Sequence, residues 1–350
     1  MEFGVYLTGP FGQSQELYAA RNAVKRGRAS PGVIEKQIRD DTKFVVDKQI
    51  EAGFSFVIDP MFRYFDLFQP ITEGFPPLIE RVEGIPPLRE SVRGFSEGPQ
   101  ENWFDNNVFY MRPQVNGTVD LDATGFTEPY LHADLLPEKG RMVVLPSPFT
   151  LMMLSTFGGV NGYEMPFNSR KSAVSDLAQL IRNEAQHLAS KGFSRIQYDE
   201  PAIVFKQYLG ATSDATQQDM ELLRLAMQYC GRIDGATTVL HTYFGSAGPI
   251  LQRLLELEVD GLGIDAIETS LSDLMQHKFF DKELVVGLLD TRSTVPEIPQ
   301  KIIQRLYRIV EATAPKALWL TPNTATEYRG WSNGMEKMRI LKEVKEALGR

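Results

Sequence analysis

Polar side chains that could carry acid–base or ligand-binding chemistry recur in this sequence just after short apolar runs. Asp199, Asp265 and Asp290 each close such a run, His241 lies late in another, and Arg292 follows two positions after Asp290. Carboxylates that are crowded together bind cations or share protons, and their pKa values then move apart. They also suit the ammonium group of an amino acid, whose carboxylate suits a guanidinium. We therefore predict that His241, Asp199, Arg292 and Asp265 are catalytic.

Other polar residues at the strand ends are expected to bind the substrate beside this catalytic group. They are Asp199, Glu200, Ser147, Asp290 and Asn323. Two alternatives stay open. Asp and Asn at strand ends also cap the helix that follows, and a lone histidine such as His241 can be a hydrogen-bonded core residue.

The elements that must position these residues alternate along the chain. Eight short runs rich in Val, Ile and Leu predict parallel strands buried on both faces, over 4–8, 56–59, 142–146, 195–199, 238–243, 261–265, 284–290 and 317–321. Helical patterns cover 32–52, 169–191, 214–232, 247–257, 270–277, 298–313 and 334–348. Eight such units favour an α/β fold of the (β/α)8 TIM-barrel type over a doubly wound sheet. In such a barrel the carboxyl ends of the strands meet at one mouth.

One segment interrupts this alternation. Residues 61–139 are rich in proline, glycine and aromatic side chains and contain an extended stretch over 107–115. We interpret residues 1–350 as a single barrel domain, in which 61–139 forms a long excursion after the second strand. The excursion is expected to form a hairpin and a lid over the barrel mouth. A surface insertion without a functional role is the alternative.

Composition argues against several function classes. The chain has 37 basic and 45 acidic side chains and a formal net charge of -8, which disfavours nucleic acid as a partner. No run approaches the 18 apolar residues of a membrane helix and no signal peptide is evident, so we expect a cytoplasmic protein. The single cysteine, Cys230, rules out an internal disulfide and is interpreted as a packed free thiol.

Several segments, taken in order along the whole chain, resemble one known family. Residues 196–202, IQYDEPA, resemble the IQxDEPA strand of the cobalamin-independent methionine synthases, and 103–107 with Tyr110 resemble their WFDxNxxY segment. Residues 241–245, 287–293 and 318–331 are similar to later segments of the family. The N-terminal pattern from 8–10 through 52–54 to Arg63 and Asp66 resembles the short archaeal and bacterial single-barrel members. The resemblance implies a TIM barrel that transfers a methyl group from a methyl-folate or methyl-corrinoid donor to homocysteine or a similar small thiol.

The same resemblance implies a zinc ion held by His, Cys, Glu and Cys, but the site is degenerate in this sequence. The zinc histidine matches His241, and the glutamate falls at Asp265, with Glu268 as the alternative. The two expected cysteines are Tyr243 and Thr324, which cannot replace soft thiolates. Any zinc would therefore depend on His241 and Asp265 alone, and zinc as a cofactor is doubtful.

Three hypotheses about function follow. The first is a methyltransferase acting on small molecules, with a folate held at a lip formed by Trp103, Tyr110, Arg112 and Trp331. The second is a zinc-less paralogue that binds folate or an amino acid, or pairs with a zinc-bearing homologous barrel, without chemistry of its own. The third is a diverged lyase or hydrolase on the same barrel, because a fold does not determine a reaction.

Overall fold

The computed structural model describes residues 1–72, 92–104, 108–205 and 217–349. Its main feature is an eight-stranded sheet in which all paired neighbours are parallel. In spatial order the strands are β1 (Glu2–Val5), β12 (Ala317–Pro322), β11 (Glu283–Leu289), β10 (Gly261–Asp265), β9 (Thr237–Thr242), β8 (Phe193–Asp199), β5 (Arg141–Pro146) and β2 (Val57–Ile58). The two end strands approach each other where the Ser55 amide donates to the Val5 carbonyl at 3.0 Å. The predicted α/β barrel and its eight strands are confirmed.

Helices follow most of these strands along the chain. They are α1 (Gln15–Lys25), α2 (Gly32–Glu51), α3 (Gln69–Thr72), α4 (Pro148–Leu154), α5 (Phe167–Ser190), α6 (Gln217–Cys230), α7 (Leu251–Leu255), α8 (Leu271–Leu274), α9 (Pro299–Thr313) and α10 (Gly330–Leu348). In α9 the buried residues Ile302, Leu306 and Ile309 recur at helical spacing, which explains its amphipathic pattern. No helix among the described residues is long and apolar enough to cross a membrane.

Three of these helices, α1, α3 and α4, were missed in the sequence. α1 begins after Ser14, whose hydroxyl accepts a hydrogen bond from the Leu17 amide at 3.0 Å. This N-cap is a clear start signal. α4 has every residue buried, so it lacks the alternation of apolar and polar residues by which a surface helix is recognised.

The strands are buried on both faces, as their composition predicts. Every residue of β10, β11 and β12 is buried. Burial on both sides is typical of a parallel sheet that is covered by helices.

The excursion contains a second, smaller sheet. Strands β3 (Phe95–Asn102) and β4 (Phe109–Val115) pair antiparallel, and β4 continues to β6 (Thr156–Phe157) and β7 (Val160–Asn161), which follow α4. The extended stretch predicted over 107–115 thus contains β4, although position 107 lies outside the described residues. That this excursion serves as a lid stays a prediction.

Candidate functional site

A cavity of about 380 Å³ opens at the carboxyl ends of the barrel strands. This volume lies within the range of small-molecule sites. Its walls come from the segments after β1, β2 and β12, from the ends of β8 and β9, and from the excursion hairpin. Polar and aromatic lining residues include Asp66, Trp103, Asp199, Tyr243, Glu327 and Tyr328.

Asp199, the last residue of β8, is the predicted catalytic residue that lines this cavity. Its Oδ1 accepts a hydrogen bond from Gln197 Nε2 at 2.7 Å, and its Oδ2 accepts one from the Tyr243 hydroxyl at 3.0 Å. Burial raises the pKa of the Asp199 carboxyl to about 7, because both donors are neutral and compensate only partly for lost solvation. A fixed carboxyl group with this pKa can accept or donate a proton near neutral pH.

His241, in β9, lies beneath the cavity rather than on its wall. Its side chain is fully buried, and its Nδ1 lies 3.2 Å from Gln197 Nε2 and 4.0 Å from Asp199 Oδ1. Burial lowers the pKa of His241 to about 3, so the ring is neutral at pH 7. The ring occupies the space beside Gly263, where an added Cβ would lie 2.4 Å from His241 Cδ2. Gln197 therefore links a neutral His241 to Asp199.

Glu200 and Ser147 were predicted to bind substrate, and the structure places them inside the protein. Glu200 is fully buried; its Oε1 accepts from the Thr150 hydroxyl at 2.8 Å and from the Ile203 amide at 2.9 Å. Burial raises the pKa of Glu200 to about 7, although hydrogen bonds from the Thr150 hydroxyl and the Ile203 amide act to lower it. These contacts tie α4 to the end of β8, and neither Glu200 nor Ser147 lines the cavity.

Asp265 and Asn323 form a second internal pair. Asp265 Oδ1 accepts from the amides of Ile267 and Glu268 at 2.9 and 3.2 Å, and its Oδ2 accepts from Asn323 Nδ2 at 3.1 Å. Asn323 Oδ1 in turn accepts from the Thr291 amide at 3.0 Å. Burial raises the pKa of Asp265 to about 6. Asp265 thus holds the turn that follows β10, whereas Ser270 is the N-cap of α8, and a catalytic role for Asp265 stays a prediction.

Arg292 and Asp290 lie outside the cavity. The Arg292 guanidinium forms an ion pair with Glu268, and its Nε lies 3.7 Å from Asp290 Oδ1. Asp290 Oδ1 also accepts from the Arg292 amide at 3.0 Å. Neither residue lines the cavity. Arg292 is therefore engaged with two carboxylates at the surface, away from the position where it was predicted to bind a substrate carboxylate.

The two predicted aromatic residues differ in position. Trp103 lines the cavity and packs against Phe68 and Tyr110 with ring centroids 5.5 and 5.7 Å apart. Trp331, at the start of α10, is stacked on the cavity-lining Phe62, with the ring centroids 6.1 Å apart.

Three charged lining residues were missed in the sequence: Asp66, Glu327 and Arg21. Asp66 follows β2 and accepts from the amides of Phe68, Gln69 and Met111 at 2.7 to 2.9 Å. Burial raises the pKa of Asp66 to about 7; burial also raises that of Glu327 to about 7, with a smaller contribution from the charge of Asp66. Asp66 and Glu327 both lie in segments that directly follow a barrel strand, β2 and β12, which was the available signal.

Comparison with known proteins identifies the family to which the chain belongs. A family model described as "Cobalamin-independent synthase, N-terminal domain" matches residues 88–314, about two thirds of the chain. The chain belongs to the cobalamin-independent synthase family. The relationship suggested by the sequence motifs is thereby confirmed.

Curated relatives of the family are distant and longer than this chain. A 5-methyltetrahydropteroyltriglutamate--homocysteine methyltransferase of Coxiella burnetii is 24% identical over 359 residues, covering 99% of this chain and 41% of that protein. A methionine synthase of Sulfurisphaera tokodaii is 23% identical over 228 residues, covering 65% of this chain and 62% of that protein. The chain thus spans less than two thirds of the length of these relatives.

Solved structures share the fold over nearly the whole chain. A putative vitamin-B12 independent methionine synthase from Listeria monocytogenes has a TM-score of 0.66 at 17% identity and covers 99% of this chain and 96% of that one. A B12-independent methionine synthase from Shewanella sp. W3-18-1, solved with selenomethionine, has a TM-score of 0.64 at 17% identity and covers both chains completely. At these identities the likeness shows the barrel fold alone.

The side chains at the expected zinc positions of this family member do not fit the ion. Tyr243 donates its hydroxyl proton to Asp199, Thr324 contacts Tyr328, and both oxygens of Asp265 accept hydrogen bonds from the protein. The described residues contain no cluster of three or more His, Cys, Asp or Glu side chains arranged to hold a metal. Hard hydroxyl oxygens are also poor substitutes for thiolates. No reaction step is therefore assigned to zinc.

Proposed function

We propose that this chain is a methyltransferase that binds a methylated reduced folate and a small thiol at the barrel mouth. The observation that carries the proposal is Asp199: it lines a cavity of about 380 Å³, Gln197 and Tyr243 fix its two oxygens, and its pKa is about 7. The folate donor is supported by the printed names of the relatives, which specify 5-methyltetrahydropteroyltriglutamate. Those names and the cobalamin-independent family description give no support to a methyl-corrinoid donor.

Asp199 supplies the proton transfer that this reaction requires. A thiol has a pKa near ~8.5, so a carboxylate with a pKa of about 7 can deprotonate it as the sulfur attacks. The sulfur electron pair forms the new S–CH3 bond, while the N–CH3 bond of the folate breaks and its electron pair stays on nitrogen. The nitrogen takes the proton from the Asp199 carboxyl as the N–CH3 bond breaks, because a free amide anion would be too poor a leaving group, so the carboxylate is regenerated and the atoms balance.

His241 was predicted as a catalytic residue, and we assign it a positioning role instead. Its pKa of about 3 makes the buried ring a weak base, and the ring does not line the cavity. Its Nδ1 faces the Gln197 amide that donates to Asp199. His241 and Gln197 would therefore hold the carboxylate in one orientation while Asp199 exchanges the proton.

The test is methyl transfer by the full chain from 5-methyltetrahydropteroyltriglutamate to a panel of small thiols, homocysteine included. Asp199→Asn is expected to lower the rate by about 100-fold or more, because general-base catalysis contributes ~10²–10⁴. The matched control is Asp281→Asn, which removes one exposed carboxylate just before the amino end of β11. The proposal fails if no thiol is methylated, or if D199N is as active as D281N.

A second candidate function is folate binding without methyl transfer. It is favoured because Tyr243 and Thr324 stand where the family resemblance implies cysteines. In that case the chain binds the folate without transferring its methyl group. Calorimetric binding of the methyl-folate, together with no methylated product for any thiol, would establish this alternative. The comparisons do not support a zinc-bearing partner barrel, and neither function requires one.

A further inference from the structure

Three carboxylates on the cavity wall lack a counter-charge among the described residues. Asp199 receives neutral donors from Gln197 and Tyr243, and Asp66 receives backbone amides. Glu327 lies in the turn after β12 and lines the cavity, and its partly exposed carboxylate has no hydrogen bond or ion pair with a described residue. All three carboxyl groups have a pKa near 7 because burial disfavours their charged form.

The described part of the cavity wall has little positive charge. Among the described lining residues the basic side chain is Arg21, in α1. Its Nη1 donates to Gln13 Oε1 at 2.9 Å and its Nη2 donates to the Phe62 carbonyl at 3.1 Å, so this guanidinium already holds the wall together. Arg292, the predicted partner for a substrate carboxylate, is engaged with Glu268 outside the cavity.

Glu327 and Asp199 act on the same part of the cavity. Both contribute negative charge at the Tyr243 hydroxyl and at the Tyr328 hydroxyl, where Arg292 adds a smaller positive contribution, and Glu327 also interacts with Asp66. With a pKa near 7, these carboxyl groups are partly protonated at pH 7. An ammonium group beside Tyr243 would favour their charged forms and gain attraction in a poorly solvated site, whereas a carboxylate would gain no such attraction from them.

We propose that the thiol acceptor of this chain is a cationic aminothiol without a carboxylate, and that Glu327 is a specificity-determining residue that binds its ammonium group. The inference rests on the proposed function and names the substrate class for the same cavity. An amino acid such as homocysteine would place its carboxylate among Asp66, Asp199 and Glu327, with Arg21 already bonded to the protein.

The test compares two stable product analogues that differ by one carboxylate: 3-(methylthio)propylamine and methionine. Titration calorimetry with the full chain at pH 7 is expected to give at least about 10-fold tighter binding of the amine. Glu327→Gln is expected to weaken binding of the amine by about 10-fold. The Asp281→Asn control, which makes the same change in net charge at the other end of the barrel, should leave it unchanged.

Two results would overturn this inference. The first is that methionine binds as tightly as the amine. This comparison uses only the unmodified protein, so it does not depend on whether E327Q folds. Alternatively, a folded E327Q could bind the amine as well as D281N does. Methyl transfer to homocysteine with no preference for the amine would refute the aminothiol but leave the proposed function intact. Binding of the amine without methyl transfer to any thiol would refute the proposed function but leave the ammonium-binding role of Glu327 intact.

Discussion

At the residue scale, the structure separates carboxylates that cap the backbone from carboxylates that face a ligand. Asp265 and Glu200 use their oxygens on backbone amides and internal side chains, whereas Asp199 and Glu327 line the cavity. All four have a pKa raised by burial, so the raised pKa alone does not identify the site. Position on the cavity wall is what distinguishes them.

Glu35, in α2, provides a prediction about pH. The nearby His132 ring, whose Nε2 lies 3.7 Å from Glu35 Oε1, and then the ion pair with Arg63 lower the pKa of Glu35 from 4.5 to about 2. A depressed folded-state pKa contributes stability that is present above pH 4.5 and is lost as the pH falls toward 2. We expect the thermal midpoint of the natural protein to exceed that of Glu35→Gln at pH 6. The difference should shrink between pH 4.5 and 2 in a thermal-melt series, and a constant difference would contradict it.

At the element scale, the amino end of the barrel is closed by a buried ion pair. Arg195, on β8, is fully buried, and its Nη2 lies 2.8 Å from Glu283 Oε2 on β11. The Trp319 indole of β12 donates to the same oxygen at 2.7 Å. The guanidinium lies 4.3 Å from the centroid of the Phe56 ring and 5.1 Å from that of Tyr6. These contacts connect strands on several sides of the barrel.

Removing the arginine is expected to leave Glu283 buried without its cation. We predict that Arg195→Met lowers the free energy of unfolding by about 3–5 kcal/mol, the usual cost of breaking a buried pair from one side. Arg339→Met, which removes a solvent-exposed arginine paired with Glu336 and Glu343, should cost at most about 1 kcal/mol. Urea unfolding curves measure both, and equal losses would refute the role of the Arg195 pair.

At the scale of the whole molecule, one residue couples the barrel to the excursion sheet. Asp66 follows β2, and its Oδ2 accepts from the Met111 amide of β4 at 2.7 Å while it lines the cavity. The hairpin and the barrel mouth therefore share a wall. If the excursion acts as a lid, this contact is one of the places where its position is fixed.

Asp66→Ala tests that coupling. The variant removes the acceptor for Met111, so amide exchange in β4 should rise while exchange in β8, within the barrel, stays unchanged. Methyl-folate binding should weaken, because the hairpin contributes Trp103 to the cavity. Hydrogen exchange resolved by peptide, with Asp281→Asn as the control, measures the effect. Unchanged exchange at Met111 in a folded variant would contradict the coupling.

The sequence by itself determined the barrel, because the strands of a parallel sheet buried on both faces have a composition that can be read locally. It also predicted Asp199 and Trp103 as site residues, and both line the cavity. Each lies in a motif at or near the end of a strand. It could not show that the Arg292 guanidinium pairs with Glu268 instead of facing the cavity. It also could not distinguish Glu200, which lies inside the protein, from its neighbour Asp199, which lines the cavity. Such differences depend on the direction of each side chain.

Only the tertiary structure brought Asp66, Glu327 and Arg21 together, since they come from segments after β2, after β12 and in α1 that are far apart in the chain. Their charges matter because they share one poorly solvated volume, and that volume exists only when the strand ends converge. The types of the strand-end residues are set by the sequence. The cavity that gives them a common electrostatic environment, and so a preference among ligands, is set by the closed barrel and its excursion.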